Sequence, residues 1–272
     1  MNDVAVRTAF SDLLQQLTAT GTGYDVAIPP DWLQGRAIYG GLSAALCLAA
    51  TEAAHTDLPP LRSAQIGFVG PAGARVAIQP TLLRRGKSTA FIAADMSSDG
   101  EPAVRSLFCF GANRESALNF RGAVAPSVSA PEQGDRFFED AQGRNLGPSF
   151  AQHFETRRVG GALPMSASPE PEFLVWIRHR DEAVDPGVLG LVALADAIPP
   201  AAMASMDGPA PVSSMTWQLD LLTDRPATRD GWWLCRSQAE TVGSGYAGQH
   251  TTIWNADLEP VIAARQSVAV FA

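Results

Sequence analysis

Three side chains in the second half of the chain have the chemistry to activate a water molecule, and each is set among apolar neighbours. Asp196 lies in PGVLGLVALADAIPPAAM (186–203), where Val188, Leu189, Leu191, Val192, Leu194, Ala195 and Ile198 cover every face of a helix. A carboxylate buried there must be paired or hydrogen-bonded, because taking its charge out of water is costly. Pro199 and Pro200 are expected to stop the helix one turn past Asp196, close to a helix end that a cavity can reach. Two roles fit such an acid: a structural one, satisfying backbone donors or an arginine, and a catalytic one in an apolar pocket. Ser213, Ser214 and Thr216 open the next strand-like run, VSSMTWQLDLL, and Gln266 sits in the last one, VIAARQSVAV. On that strand Ile262, Ala264, Gln266 and Val268 share a face, so Gln266 points the same way as residues that pack on a helix. A carboxylate, a hydroxyl and a carboxamide meeting in one pocket can hold a water, the first taking its proton and the others fixing its lone-pair direction. Attack on an activated carbonyl also needs donors for the developing oxyanion. Free N–H groups at the start of a helix supply them, and Gly40-Gly41 open an apolar helix in the first half.

The elements that must position these groups form two similar sets. Phe10, Leu13, Leu14 and Leu17 recur at helical spacing, and Tyr24–Ile28 alternates as a strand up to Pro29-Pro30. From Gly40-Gly41 the alanine-rich run LSAALCLAATEAA predicts a helix closing near His55. Strands are expected at Arg62–Val69, Arg75–Leu83, Ser88–Met96 and Ala103–Gly111, separated by Gly70-Pro71-Ala72-Gly73, Arg85-Gly86-Lys87 and Ser98-Asp99-Gly100. Composition then turns to Ser, Pro, Gly and charge around APSVSAPEQGDR, which reads as a linker. Beyond it come strands at Phe154–Arg158 and Glu172–Arg180, the helix carrying Asp196, and four more strands at Val212–Leu222, Trp232–Glu240, Tyr246–Trp254 and Val261–Phe271. Helix then four strands thus occurs twice, and Asp99-Gly100-Glu101-Pro102-Ala103-Val104 matches Asp257-Leu258-Glu259-Pro260-Val261-Ile262 in residue type at equivalent places. At the place aligned with Gln266 the first half has Phe108. An apolar helix followed by antiparallel strands needs a sheet curved around it. The expectation is an α+β double hotdog, two antiparallel sheets each wrapped around a long central helix, with an N-terminal hotdog over 1–114, a linker over 115–148 and a C-terminal hotdog over 149–272.

Composition narrows the function. A net charge of -8, with Lys87 as the only lysine, argues against a general nucleic-acid surface. Cys47, Cys109 and Cys235 lack CxxC pairing and accompanying histidine spacing, as expected of reduced thiols in a cytoplasmic protein. The start, MNDVAVRTAFSDLLQQL, does not read as a signal peptide, and no apolar run has the length of a membrane span. His55, His153, His179 and His250 are scattered without ligand spacing, so neither a metal nor another cofactor is called for. Gly243-Ser244-Gly245-Tyr246-Ala247-Gly248 fits GxGxxG literally, but the continuation as a strand favours a hairpin or bulge over a nucleotide loop.

Tyr39-Gly40-Gly41, the turn Leu83-Arg84-Arg85-Gly86-Lys87-Ser88, Ala195-Asp196 before Pro199, and the tail Asn255–Gln266 together resemble the acyl-CoA thioesterase II (TesB-like) family. The resemblance implies hydrolysis of an acyl-CoA thioester by water held between an Asp, a Thr or Ser, and a Gln. These fall on Asp196, on Ser214 with Ser213 as the alternative, and on Gln266, with the Gly41 amide as oxyanion donor beside Gly40. Thr216 and Trp217 stand where the family commonly has an aspartate and a histidine. Arg36, Arg84, Arg85 and Lys87 are the candidates for contacting CoA. The substrate is then a small-molecule acyl-CoA, and further assembly into a homo-oligomer through sheet edges is compatible. Three rivals remain: a non-catalytic hotdog that binds an acyl or aryl ligand, a hotdog enoyl-CoA hydratase, which would want a histidine beside the Asp, and a lipocalin-like barrel, which would not need two long buried helices.

Overall fold

The structure, a computed structural model, describes residues 7–272. The first six positions of the stretch read above for a leader lie outside the described residues. Three α-helices are present among them: α1 (Phe10–Gln15), α2 (Gly40–Ala54) and α3 (Val188–Ala195). The strands of the first half are β1 (Thr18–Ala19), β2 (Tyr24–Ala27), β3 (Leu33–Gln34), β4 (Ala37–Ile38), β5 (Leu61–Phe68), β6 (Arg75–Arg85), β7 (Thr89–Ser98) and β8 (Glu101–Gly111). Those of the second are β9 (Asp135–Arg136), β10 (Phe154–Gly161), β11 (Glu172–His179), β12 (Val212–Leu221), β13 (Trp233–Gly243), β14 (Tyr246–Asn255) and β15 (Pro260–Val270).

The expected helix-plus-strands plan holds in both halves, but the two expected sheets are one. Thirteen strands run in the order β1-β2-β6-β7-β8-β5-β12-β15-β14-β13-β11-β10-β9, with neighbours antiparallel. The junction is β5 against β12, in register from Thr216 opposite Gly67 to Asp220 opposite Ser63. Each half alone would leave this strand as an open edge with unpaired N–H and C=O groups, and pairing the two edges satisfies both. The outermost strands of the sheet, β1 and β9, are two residues each.

Both central helices are apolar on all sides and lie inside the curve of the sheet. Residues Gly41–Thr51 of α2 and Gly190–Ala195 of α3 are buried, and the helices pack against each other. The second helix is not the long one expected. It ends at Ala195, because Pro199 holds Ile198 out of helical geometry and neither Pro199 nor Pro200 can donate a helical hydrogen bond. Asp196 is its C-cap residue, and a 3₁₀ turn over Ala201–Ala204 follows.

Residues 115–148 carry little regular structure, yet they pack against the second half. Ser129 and Ala123 carbonyls accept from the indole N–H groups of Trp176 (3.0 Å) and Trp254 (2.8 Å). This stretch lies over an outer cluster of Leu174, Trp176, Trp232, Leu234 and Trp254, and Phe137 and Phe138 enter the main core. The glycine motif at 243–248 forms the β13–β14 hairpin, with Ser244 (φ 52°) and Gly245 (φ 79°) both left-handed as a two-residue turn of this hand requires. His153 stacks on Trp32 with ring centroids 3.8 Å apart, and His179 Nε2 lies 2.8 Å from the Gly190 carbonyl. Burial pushes both histidines down to about 4, which keeps them neutral packing groups. Burial likewise pushes the Cys47 and Cys235 thiols up to about 12, and all three cysteines are unpaired. Among the described residues no helix is long and apolar enough to cross a membrane, and no group of three or more His, Cys, Asp or Glu could hold a metal ion.

Candidate active site

The start of α2 and the end of α3 face each other, and the site forms where they meet. No side chain of its own caps α2 at Tyr39, so the N–H groups of its first turn are open to another partner. Asp196, from the other helix, lies against that end, with the Gly41 amide as the backbone donor that favours its ionised form. This places a negative group at the positive end of the α2 dipole. The approach is close because both residues at the helix start are glycines. A Cβ on Gly40 would lie 2.6 Å from Asp196 Oδ2, and one on Gly41 would lie 2.6 Å from the Ala193 carbonyl oxygen and closer still to the Tyr39 hydroxyl. That hydroxyl donates to the Ala193 carbonyl at 2.8 Å, and the Tyr39 ring stacks on Phe150 at 4.0 Å, which pins the two helices in place.

On its other side Asp196 Oδ1 accepts from Gln266 Nε2 at 2.5 Å, and the same nitrogen lies 3.3 Å from Ser214 Oγ. The carboxylate, the hydroxyl and the carboxamide singled out in the sequence are therefore in contact. Ser214 reaches this point through a β-bulge. Ser214 pairs with Val268 and Thr216 with Ser267, leaving Met215 as an extra residue. Counting back by twos from the inward Trp217 would otherwise turn Ser213 inward and Ser214 out. With the bulge, Ser214 faces the carboxamide, Ser213 and Met215 are exposed, and Thr216 lies on the outer face.

Burial pushes the Asp196 carboxyl up to about 7, against the opposing pull of the hydrogen bonds from Gln266 and the Gly41 amide. Near neutral pH the group is thus divided between an acid and a base, the condition in which proton exchange with a reactant is most effective. Beside it opens a cavity of about 580 Å³ walled by Ile38, Phe68, Phe138, Phe150, Ile198 and Met203. Asp196, Gly40, Ser213 and Ser214 form its polar side, while Gln266 touches Asp196 and Ser214 from behind. No histidine is among the residues that line it.

The cations are placed differently from one another. Arg36 sits in the turn between β3 and β4, flanked by Gln34 and Ala37 at the cavity. Arg84 and Lys87 are not brought to the site. Their turn lies beside the far end of α2, where Arg85 pairs with Asp57 at 2.8 Å, roughly 20 Å from Gly40 along a helix of this length. Gln249, which sequence reading passed over, belongs to the site: its Nε2 donates to Gln266 Oε1 at 2.6 Å. The signal was there in the alternation of β14, which turns Gln249 inward with Ala247 and Thr251.

The profile of the acyl-CoA thioesterase C-terminal domain matches residues 126–270, and that of the acyl-CoA thioesterase N-terminal domain matches residues 28–111. The chain belongs to the acyl-CoA thioesterase family. The C-terminal profile begins within the stretch that straps the second half. Among solved structures, a conserved hot dog fold protein of unknown function from Alicyclobacillus acidocaldarius is 23% identical, with 98% of this chain and 99% of that one covered and a TM-score of 0.84. A TesB protein from Mycobacterium avium subsp. paratuberculosis is 18% identical over 97% of this chain and 100% of that one, with a TM-score of 0.79. An acyl-CoA thioesterase II from Mycobacterium marinum is 18% identical over 95% and 97%, with a TM-score of 0.73. These likenesses establish the hotdog fold across nearly the whole chain. No curated protein matches it significantly.

Proposed function

We propose that this family member hydrolyses an acyl-CoA thioester to the free acid and CoA, with a water activated by Asp196. The observation that carries this reading is the convergence of Asp196, Ser214 and Gln266 at the polar side of an apolar cavity, against the start of α2. In this reading the acyl group occupies the cavity, and Arg36, in the turn next to it, is the candidate to meet the phosphates of CoA. Asp196 takes a proton as the water oxygen attacks the thioester carbonyl carbon. Ser214 fixes the water's orientation, and Gln266 holds both Asp196 and Ser214. As the carboxylate accepts the proton, its hold on the Gly41 N–H weakens, and that donor becomes available to the carbonyl oxygen as negative charge builds there. Collapse of the tetrahedral intermediate expels the CoA thiolate, which takes the proton back from Asp196. The hydratase alternative is the less supported, since its histidine is lacking at the cavity.

The test is release of free thiol from short-, medium-, long-chain and aryl-CoA thioesters by the purified protein. Turnover of at least one class is expected. Tight acyl-CoA binding without thiol release would replace this reading with that of a ligand-binding hotdog. The bulge supplies a second expectation: Ser214→Ala should lower kcat about tenfold, the scale of one positioning contact, whereas Ser213→Ala should leave kcat near that of the wild type. Equal losses in the two variants would remove Ser214 from the mechanism.

A further inference from the structure

A carboxamide has an accepting end and a donating end of nearly the same shape, so something must decide which end Gln266 turns toward Asp196. The decision is made outside the site. The Ala201 backbone N–H can only donate, and it donates to Gln249 Oε1 at 2.8 Å. The NH₂ group of Gln249 must therefore face Gln266, where it donates to Oε1 at 2.6 Å. That in turn commits the NH₂ group of Gln266 to Asp196 Oδ1 at 2.5 Å and to Ser214 Oγ at 3.3 Å. Because Ser214 Oγ accepts here, its own proton is left to donate toward the water or the carbonyl.

We propose that Gln249 is a positioning residue that sets the polarity of the Gln266 carboxamide, and through it the donor–acceptor order of the whole site. The two glutamines are direct cross-strand partners on β14 and β15, which gives the contact a rigid base. Gln249 is 2% exposed and is absent from the cavity wall, so its route to the reacting groups runs through Gln266. Its anchor, Ala201, starts the 3₁₀ turn after Pro199-Pro200, and that turn carries Met203 into the cavity wall. This role rests on the thioesterase reading for its effect on rate. The orientation itself follows from the hydrogen-bond chain and can be read without turnover.

Gln249→Met keeps the length of the side chain and removes both polar ends. Gln266 can then turn its carbonyl toward Asp196, which favours the protonated acid. The expected result is a fall in kcat of about tenfold or more at pH 8, KM within about twofold of the wild type, and an acid limb of the pH profile moved upward. In a Gln266→Ala background the same change should have no further effect on kcat, because its route of action is gone. Carboxyl ¹³C titration of Asp196 should move upward by about half a unit or more in Gln249→Met. A variant with lowered melting temperature but unchanged kcat, acid limb and Asp196 titration would show a packing role only and overturn the proposal. If the wild type hydrolyses no acyl-CoA, the thioesterase reading fails while the titration still decides the role of Gln249.

Discussion

Asp196→Asn is expected to lower kcat by about two to four orders of magnitude, the range that a positioned general base supplies, while acyl-CoA binding persists. The carboxamide keeps the size of the side chain and its acceptor toward Gln266, but it cannot take a proton from water. The wild type should also lose activity as pH falls below about 7, tenfold per unit, because only the ionised carboxyl acts as a base. The same group has an opposite effect on stability. Burial raises its folded-state value from 3.8 to about 7, so the folded protein holds this proton more tightly than the unfolded chain does. The contribution is complete below 3.8 and is lost as pH rises through about 7, a swing of at most about 4 kcal/mol. The substituted carboxamide does not titrate, so the stability of Asp196→Asn relative to the wild type should rise between pH 4 and pH 8. Denaturant unfolding at those two pH values measures the difference. A constant difference, together with an unchanged kcat, would remove Asp196 as the base and as a buried acid.

Gly41→Ala is expected to have the largest effect on folding. The added methyl would meet the Ala193 carbonyl at 2.6 Å and crowd the Tyr39 hydroxyl that holds that carbonyl. Backbone cannot step aside as a side-chain tip can, so α2 and α3 must separate. Overpacking at such a crossing costs about 3 kcal/mol, or roughly 5 °C in melting temperature for a chain of this size. Moving the helices apart also withdraws the Gly41 amide from Asp196, so activity should go with stability. Gly40→Ala separates the two effects. Its methyl meets the Asp196 Oδ2 and Phe68 side chains, at 2.6 and 3.1 Å, both of which can turn away. Activity should fall there with a smaller loss in melting temperature. Equal melting temperatures for Gly41→Ala and the wild type would show that the helices do not cross as tightly as described.

The legible parts of this protein were those governed by local pattern. Two-residue alternation located most of the strands, and Pro59-Pro60 and Pro29-Pro30 bounded the first half's elements. Asp196 and Gln266 stood out because a polar group among apolar neighbours must be satisfied by something distant. The illegible parts were set by pairing between distant segments. Nothing in VSSMTWQLDLL marks Met215 as an extra residue, since a bulge depends on the partner strand, and this left Ser213 and Ser214 unresolved. The fusion of two sheets into one is likewise a property of two edges, β5 and β12, far apart in sequence. Length misled at α3, where an apolar run of helical character is cut at Ala195 by prolines four and five positions later. Arg84 and Lys87 had the right charge, but chemical type does not report which end of the sheet a turn occupies. Gln249 was within reach of the argument that found Gln266, and was hidden by the glycine motif beside it.

The facing of Gly41 and Asp196 has a consequence for how the protein comes into being. One partner is contributed by each half, and they meet only when both helices are seated and β5 has zipped onto β12. Such late, long-range closure is entropically expensive and slow. The outer tryptophan cluster of Leu174, Trp176, Trp232, Leu234 and Trp254, by contrast, is drawn wholly from the second half. During synthesis the N-terminal helix must wait, with its glycine end open, for a carboxylate that emerges from the ribosome about 150 residues later. The moment at which a nascent chain becomes competent is thus the moment at which its two halves first recognise each other.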